Sequence, residues 1–297
     1  MNAIEQRVKK LYSDREHGSR WLVREAICIM HDAAKEKVTE QQEHIYMLRE
    51  VAREIAQARP AMAALSGAMG LLMVGRKTPA EIAAAAARML SDYDRMTTRI
   101  AQHAAPLLHG SLLTCSISNT VLDVLRACRQ QISEVVVMEG RPNFEGRETA
   151  LILQCAGLKI TLITDAQAAL FLPRCQAVVV GADSVLEDGT VLNKAGTALV
   201  GWAAHGLQIP FYVLCETLKI TPRHWNPDEE HWLEEKEPEE VWPDAPEGIA
   251  VRNFYFDATP SHLVRHWITE QGTLKRDEIG TYARKIGEAM LALQLAP

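Results

Sequence analysis

Four short stretches of this chain carry residues able to grip an anion or move a proton. The first is Thr114-Cys115-Ser116-Ile117-Ser118-Asn119-Thr120, a thiol set among hydroxyls. Where such a stretch opens a helix, the free N–H groups and the dipole favour a negative ligand. Its plainer use is N-capping by Ser118 or Asn119. The second stretch, residues 139–149, places Arg141 and Arg147 on either side of a Gly/Pro turn. Guanidinium forks suit phosphate, although loop arginines are commonly solvated surface charges. In the third, the apolar run Val178-Val179-Val180-Gly181-Ala182 ends on Asp183, and Asn193-Lys194-Ala195-Gly196-Thr197 follows ten residues later. A carboxylate at such a junction is a helix cap or an acid in a cleft. An amide, an amine and a glycine before a helix suit phosphate, although neither a Walker loop nor a GxGxxG is present. The fourth is Lys219, just past Pro-Phe-Tyr-Val-Leu-Cys-Glu-Thr-Leu.

The elements needed to bring these stretches together can be read from periodicity. Residues 1–106 have helical spacing: RWLVREAICIMHDAAKEK and EHIYMLREVAREIAQARP repeat apolar residues every three or four positions, and Pro60 closes the second. Thr78-Pro79-Ala80-Glu81 predicts a helix start with Thr78 as N-cap, Pro79 at the first position and Glu81 completing a capping box. The alanine-rich run after it allows close helix packing. From residue 107 onward, runs such as SLLTC, EVVVM, KITLIT, QAVVV and PFYVL alternate with amphipathic segments. Short β-branched runs of this kind, each followed by a helix, predict parallel strands covered on both faces. The chain therefore reads as α/β: an N-terminal helical domain (1–106) followed by a doubly wound, mostly parallel sheet domain (107–297) carrying the ligand site. In such sheets ligands sit beyond the carboxyl ends of the strands, which is where all four stretches fall. Asp188-Gly189 predicts a small hairpin turn, residues 221–248 an excursion, and residues 249–254 a last short strand.

The 297 residues include 47% hydrophobic and 24% charged positions, which excludes collagen-like, disordered and disulfide-scaffold classes. The net charge of −6 is local. Ten acids against Lys236 give residues 228–247 a charge of −9, leaving about +3 on the rest. Without a basic stripe, direct nucleic-acid binding is not expected. No apolar run is long enough to span a membrane, and the N-terminus lacks the apolar core of a signal peptide. Six scattered cysteines, with no CxxC and no zinc spacing, predict reduced thiols in a cytoplasmic protein, with no metal and no cofactor. Spacing alone thus supports a site for a phosphorylated small molecule.

The motifs GADSV, NKAGTAL, GRP–EGR–TA and FDATP, within residues 112–219 and 253–272, resemble those of the initiation factor 2B α/β/δ subunit family. That family includes ribose 1,5-bisphosphate isomerase and methylthioribose-1-phosphate isomerase. The resemblance covers about two thirds of the chain. It implies a helical domain followed by a Rossmann-like domain, with a homodimer formed through the latter. For the isomerases it implies an aldose–ketose conversion in which Asp183 shuttles a proton between C1 and C2, its pKa raised by burial. Asn193, Lys194 and Arg141 carry over as ligand-binding residues. The isomerase pattern is Thr-His-Cys, whereas this chain reads Thr114-Cys115-Ser116, so Ser116 aligns with the thiol and Cys115 with the histidine. The expected site is therefore Asp183 and Cys115 as catalytic groups, with Ser116, Ser118, Arg141, Arg147, Asn193, Lys194 and Lys219 on the ligand. Ser66-Gly67-Ala68 is the nearest counterpart of the family's N-terminal Arg-Gly phosphate motif. The alternative is a non-catalytic regulatory protein resembling an initiation factor 2B subunit, whose pocket binds a nucleotide or sugar phosphate. A Rossmann dehydrogenase is excluded by the missing glycine fingerprint.

Overall fold

A computed structural model of the chain describes residues 3–14, 18–59, 62–226, 228, 230–291 and 293–294. Five helices come first: α1 (Ala3–Ser13), α2 (Ser19–Ala33), α3 (Gln41–Gln57), α4 (Ala63–Met73) and α5 (Pro79–Ala104). Pro60, expected to close the second of the predicted helices, lies outside the described residues. The predicted capping box is present: the Glu81 amide donates to Thr78 Oγ1 (3.2 Å), and the Thr78 amide to Glu81 Oε2 (3.1 Å). Helix α4 is apolar on every side and almost wholly buried, as a central helix must be.

The α/β part follows in the order β1 (Gly110–Thr114), α6 (Asn119–Ala127), β2 (Ile132–Met138), α7 (Glu145–Cys155), β3 (Ile160–Ile163), α8 (Ala168–Phe171), β4 (Ala177–Val180), β5 (Ser184–Val185), β6 (Val191–Lys194), α9 (Thr197–Gly206), β7 (Phe211–Leu214), β8 (Phe256–Thr259), β9 (His266–Thr269), β10 (Gly272–Leu274) and α10 (Arg276–Leu291). The main sheet runs β10-β9-β7-β4-β1-β2-β3, parallel except for β10. Its order reverses between β1 and β4, the place where an open sheet of this kind leaves a crevice. β5 and β6 form the hairpin predicted around Asp188-Gly189, with Gly189 at φ +87°.

One expectation needs correction. The strand expected at 249–254 forms later, as β8, and pairs with β6 in a small three-stranded sheet. The C-terminal helix packs against both layers. Helix α10 gives Ile279 and Ala283 to the sheet's core but Ile286 and Met290 to the helical core. Both cores draw on this helix.

The junction of β2 and α7 sets the tightest steric limit near the predicted site. A Cβ placed on Gly146 would lie 1.8 Å from the Met138 carbonyl oxygen. Backbone cannot yield as a side-chain tip can, so α7 would have to move off the sheet. Gly146→Ala should cost roughly 3 kcal/mol or more, at the upper end of overpacking effects. Urea denaturation should show it, with an unchanged midpoint counting against the packing described.

Candidate functional site

A cavity of about 590 Å³ opens over the carboxyl ends of the strands, walled on one side by the helical layer. Asp183 stands on the short turn after β4. Gly181 permits that turn, because a Cβ there would lie 2.6 Å from Ser118 Oγ. Ser118 in turn is the N-cap of α6, its hydroxyl accepting from the Val121 amide (3.4 Å). The ends of β4 and β1 are thus brought together at the switch point. Burial pushes the Asp183 carboxyl up; Lys219 and then Lys194 oppose this, while Glu145 and Glu234 add to it. A carboxyl so placed holds its proton more tightly than one in water, and its ionised form is a stronger base.

Asn193 and Lys194 reach the cavity from β6. Asn193 is buried and donates to Thr197 Oγ1 (2.9 Å), which fixes its amide. Lys194 Nζ lies 2.8 Å from Glu145 Oε1 and 4.2 Å from the centre of the Tyr255 ring. Lys219, only 5% exposed, donates to the Ala182 carbonyl (2.6 Å) and lies 3.5 Å from Glu216 Oε2. Ser116 adopts φ +62°, a left-handed conformation that costs about 1–2 kcal/mol in a residue with a Cβ. Its hydroxyl then donates to Glu145 Oε2 at 2.6 Å. Asp183, Ser116, Ser118, Asn193, Lys194 and Lys219 therefore share one cavity.

Three expected site residues lie elsewhere. Cys115 is buried in the sheet core, with Sγ 3.6 Å from Thr197 Oγ1, and burial pushes its thiol up to about 12. Strand parity explains this placement. Cys115 continues the pleat of β1, so it shares the face of Leu113 while Leu112 serves the opposite core. Only at Ser116 does the backbone turn into the cavity. The two arginines are drawn outward by local partners. Arg147 pairs with Glu139 (3.2 Å) and stacks 3.8 Å over Phe144, while Arg141 donates to the Val241 carbonyl (3.0 Å). Ser66-Gly67-Ala68 is inside α4, with Ser66 bonded to the Ala63 carbonyl, and is a packing surface.

Residues that periodicity could not single out complete the walls. Gly18, Ser19 and Arg20 bring the N-terminus of α2 beside that of α6, and Arg20 is held by Asp123 (2.6 Å). Arg59 enters from the end of α3; the described residues offer its buried Nε no acceptor. The acidic excursion contributes Glu234, Lys236, Glu237 and Glu240. Glu240 accepts from Tyr255 (2.7 Å) and from Asn253 (2.9 Å), holding the excursion against the motif around residue 255. Glu145 lay within the stretch chosen for its arginines; the charge reversal in Glu-Gly-Arg was the available signal. Among the described residues, no His, Cys, Asp and Glu group could hold a metal ion, and no helix is long and apolar enough to cross a membrane.

With this geometry in place, comparison with known proteins supplies the class. Residues 15–276 match the model of the initiation factor 2 subunit family, and the chain belongs to that family. Over 273 residues it is 32% identical to a putative translation initiation factor eIF-2B subunit 2-like protein of Pyrococcus horikoshii, covering 89% of this chain and 94% of the relative. It is 34% identical to the ribose 1,5-bisphosphate isomerase of Archaeoglobus fulgidus over 171 residues, 55% of this chain and 53% of the enzyme. The solved structure of the Pyrococcus horikoshii OT3 translation initiation factor eIF-2B superposes with a TM-score of 0.76 at 29% identity, covering 92% and 97% of the two chains.

Two measurements check the placement. Cys115 should alkylate far more slowly than exposed Cys155, and a sugar phosphate should not change its rate, because a buried neutral thiol is unreactive. Peptide mass spectrometry of time-resolved alkylation reads this directly, and rapid labelling of Cys115 would contradict its burial. Asp257 accepts from the amides of Gly196 (2.7 Å) and Ala198 (3.1 Å), capping α9 behind Lys194, and burial pushes its carboxyl up to about 7. Between its unfolded value near 3.8 and 7, the folded state binds more protons than the unfolded state. Stability should therefore fall as pH rises through that window. Asp257→Asn should flatten the dependence in calorimetry, whereas an identical slope would contradict it.

Proposed function

We propose that this chain is a sugar-phosphate aldose–ketose isomerase acting on a C1-phosphorylated pentose in the cytoplasm, as a homodimer. The observation that carries the reading is Asp183, a desolvated carboxyl on the floor of a polar cavity, faced by Lys194 and Lys219. The anionic end of the ligand fits the paired N-termini of α2 and α6, whose amides favour negative charge, with Arg20 and Arg59 beside them. Isomerisation moves two protons. Asp183 takes the proton from C2 and returns it to C1; the ring oxygen gains a proton as its bond to C1 breaks, and the C2 hydroxyl loses one as the ketone forms. Ser116, hydrogen-bonded to Glu145, is the hydroxyl available for the oxygen-to-oxygen transfer. The Archaeoglobus fulgidus relative, named for ribose 1,5-bisphosphate, supports this substrate class.

A second reading has its own observation. Cys115 is in the core and, among the described residues, no thiol lines the cavity, which favours a non-catalytic pocket that binds a nucleotide or sugar phosphate in an initiation factor 2B-like regulator. The match across 89% of this chain to the eIF-2B subunit 2-like relative points the same way.

One assay separates the two. In deuterated buffer with ribose 1,5-bisphosphate, NMR should show ketose formation with deuterium incorporated at C1. Asp183→Asn should abolish it while leaving ligand affinity within about tenfold, roughly 1.4 kcal/mol. Binding without turnover or exchange in the parent protein selects the regulatory reading, and full turnover in the variant removes Asp183 from the chemistry.

A further inference from the structure

At the cavity floor is a charge arrangement of which the mechanism above leaves one member, Glu216, unused. Glu216 follows β7, is 2% exposed, and has an i,i+3 partner in Lys219 across the turn Thr217–Lys219. Its Oε1 accepts from Thr120 (2.7 Å), and its Oε2 faces the Lys219 ammonium at 3.5 Å. Lys219 is itself 5% exposed and donates to the carbonyl of Ala182, the residue before Asp183. The other cations near this group are already committed: Lys194 to Glu145 (2.8 Å) and Arg20 to Asp123 (2.6 Å). Two carboxyls, buried Glu216 in contact with it and half-buried Asp183 further off, therefore lie within the field of one ammonium.

We propose that Glu216 is a positioning residue for the site: by pairing with the Lys219 ammonium at the cavity floor, it offsets the pull of that charge on Asp183 and leaves Asp183 the carboxyl that carries the proton. The proposal rests on the isomerase reading for its catalytic meaning but not for its electrostatics. Two like charges beside one opposite charge in a desolvated site do not both ionise with equal ease. Burial works against the charge of Glu216, but its contact with Lys219 at 3.5 Å, the Thr120 hydrogen bond and the additional field of Arg20 outweigh it. Asp183 has Lys219 and Lys194 in its favour, with Glu145 and Glu234 against it. The other groups around Glu216 are Tyr93, Cys215 and, further off, Glu270; Tyr93 and Cys215 are buried and neutral, so none supplies a competing cation. The directions agree, with Glu216 held below the ordinary carboxylate range and Asp183 above it.

The test is a carboxyl titration by NMR of protein labelled with ¹³C at aspartate and glutamate side-chain carboxyls, with the two signals assigned by Asp183→Asn and Glu216→Gln. In the parent protein Asp183 should titrate above the usual range while Glu216 stays ionised throughout. The reverse order overturns the proposal. Glu216→Gln keeps an acceptor for Thr120 but removes the competing charge. The Asp183 midpoint should then fall by about one unit or more, the effect of a single opposite charge at close range. A midpoint that does not move also overturns the proposal. The acid limb of kcat/KM for ribose 1,5-bisphosphate should move to lower pH with the midpoint, which loss of packing alone would not produce. A parent protein that titrates as described but turns over no substrate overturns the isomerase reading and leaves the role of Glu216 in place.

Discussion

A lysine ammonium cannot be left in a protein interior without partners, and much of this molecule is arranged around Lys219. Its hydrogen bond ends on the loop after β4, at the Ala182 carbonyl, and its counter-ion stands at the end of β7. That counter-ion is bonded to the first turn of α6 through Thr120. A single buried charge thus ties three carboxyl-end loops to one another, and breaking such a pair from one side is far more costly than its net contribution suggests. The cavity lies above this knot, and its floor is rigid for the same reason.

The helical layer rests on the same turn. Leu218, between the members of the ion pair, belongs to the helical core. Its carbonyl oxygen approaches Gly67 of α4 so closely that a Cβ there would lie 2.9 Å away. One turn on, Gly70 meets the backbone of α10 at Ala289 in the same manner. Helix α4 is therefore clamped between the turn that holds Lys219 and the C-terminal helix. The small residues that resemble a phosphate motif in sequence serve this close packing. Helical layer and sheet are consequently positioned as one, which lets Arg20 and Arg59 act as a wall for a cavity whose floor belongs to the sheet.

How much of this was legible depends on what kind of information the chain carries locally. Periodicity marks β-strands buried on both faces, so β1 to β4 and β7 could be placed, and the residues immediately after them could be assigned to one edge. Asp183, Asn193 and Lys194 follow from that alone. Parity was the harder question. Whether Cys115 or Ser116 faces the cavity depends on where the pleat of β1 gives way, and the positive φ that ends it falls on a serine, without the glycine that would have announced it. The arginines failed for a different reason. Arg141 and Arg147 are on the correct loop, but a long side chain goes where its nearest partners are, and those were Phe144, Glu139 and a carbonyl a hundred residues away. No local pattern encodes that partner.

That distant carbonyl belongs to the acidic excursion, which could be seen in the sequence only as charge. Net charge of this density ordinarily keeps a segment solvated and apart from the body of a protein. Here Arg252 pairs with Glu235 and Lys236 with Glu234, while neutral donors hold Glu240 without cancelling its charge. Asn253 and Tyr255 both donate to the Glu240 carboxylate, Asn143 donates to the Tyr255 hydroxyl, and the backbones of Glu235 and Phe254 form an antiparallel bridge. The Tyr255 phenol, pushed up to about 12 by burial with Glu240 adding to the shift, stays a donor at any ordinary pH. The segment therefore still brings net negative charge to the mouth of a cavity whose walls also present helix N-termini and arginines. A ligand entering such a space is oriented by the field before it meets Asp183: its anionic end is repelled from the excursion and drawn toward α2 and α6. The acidic stretch, conspicuous in the sequence and unexplained by it, thus gives the cavity its polarity.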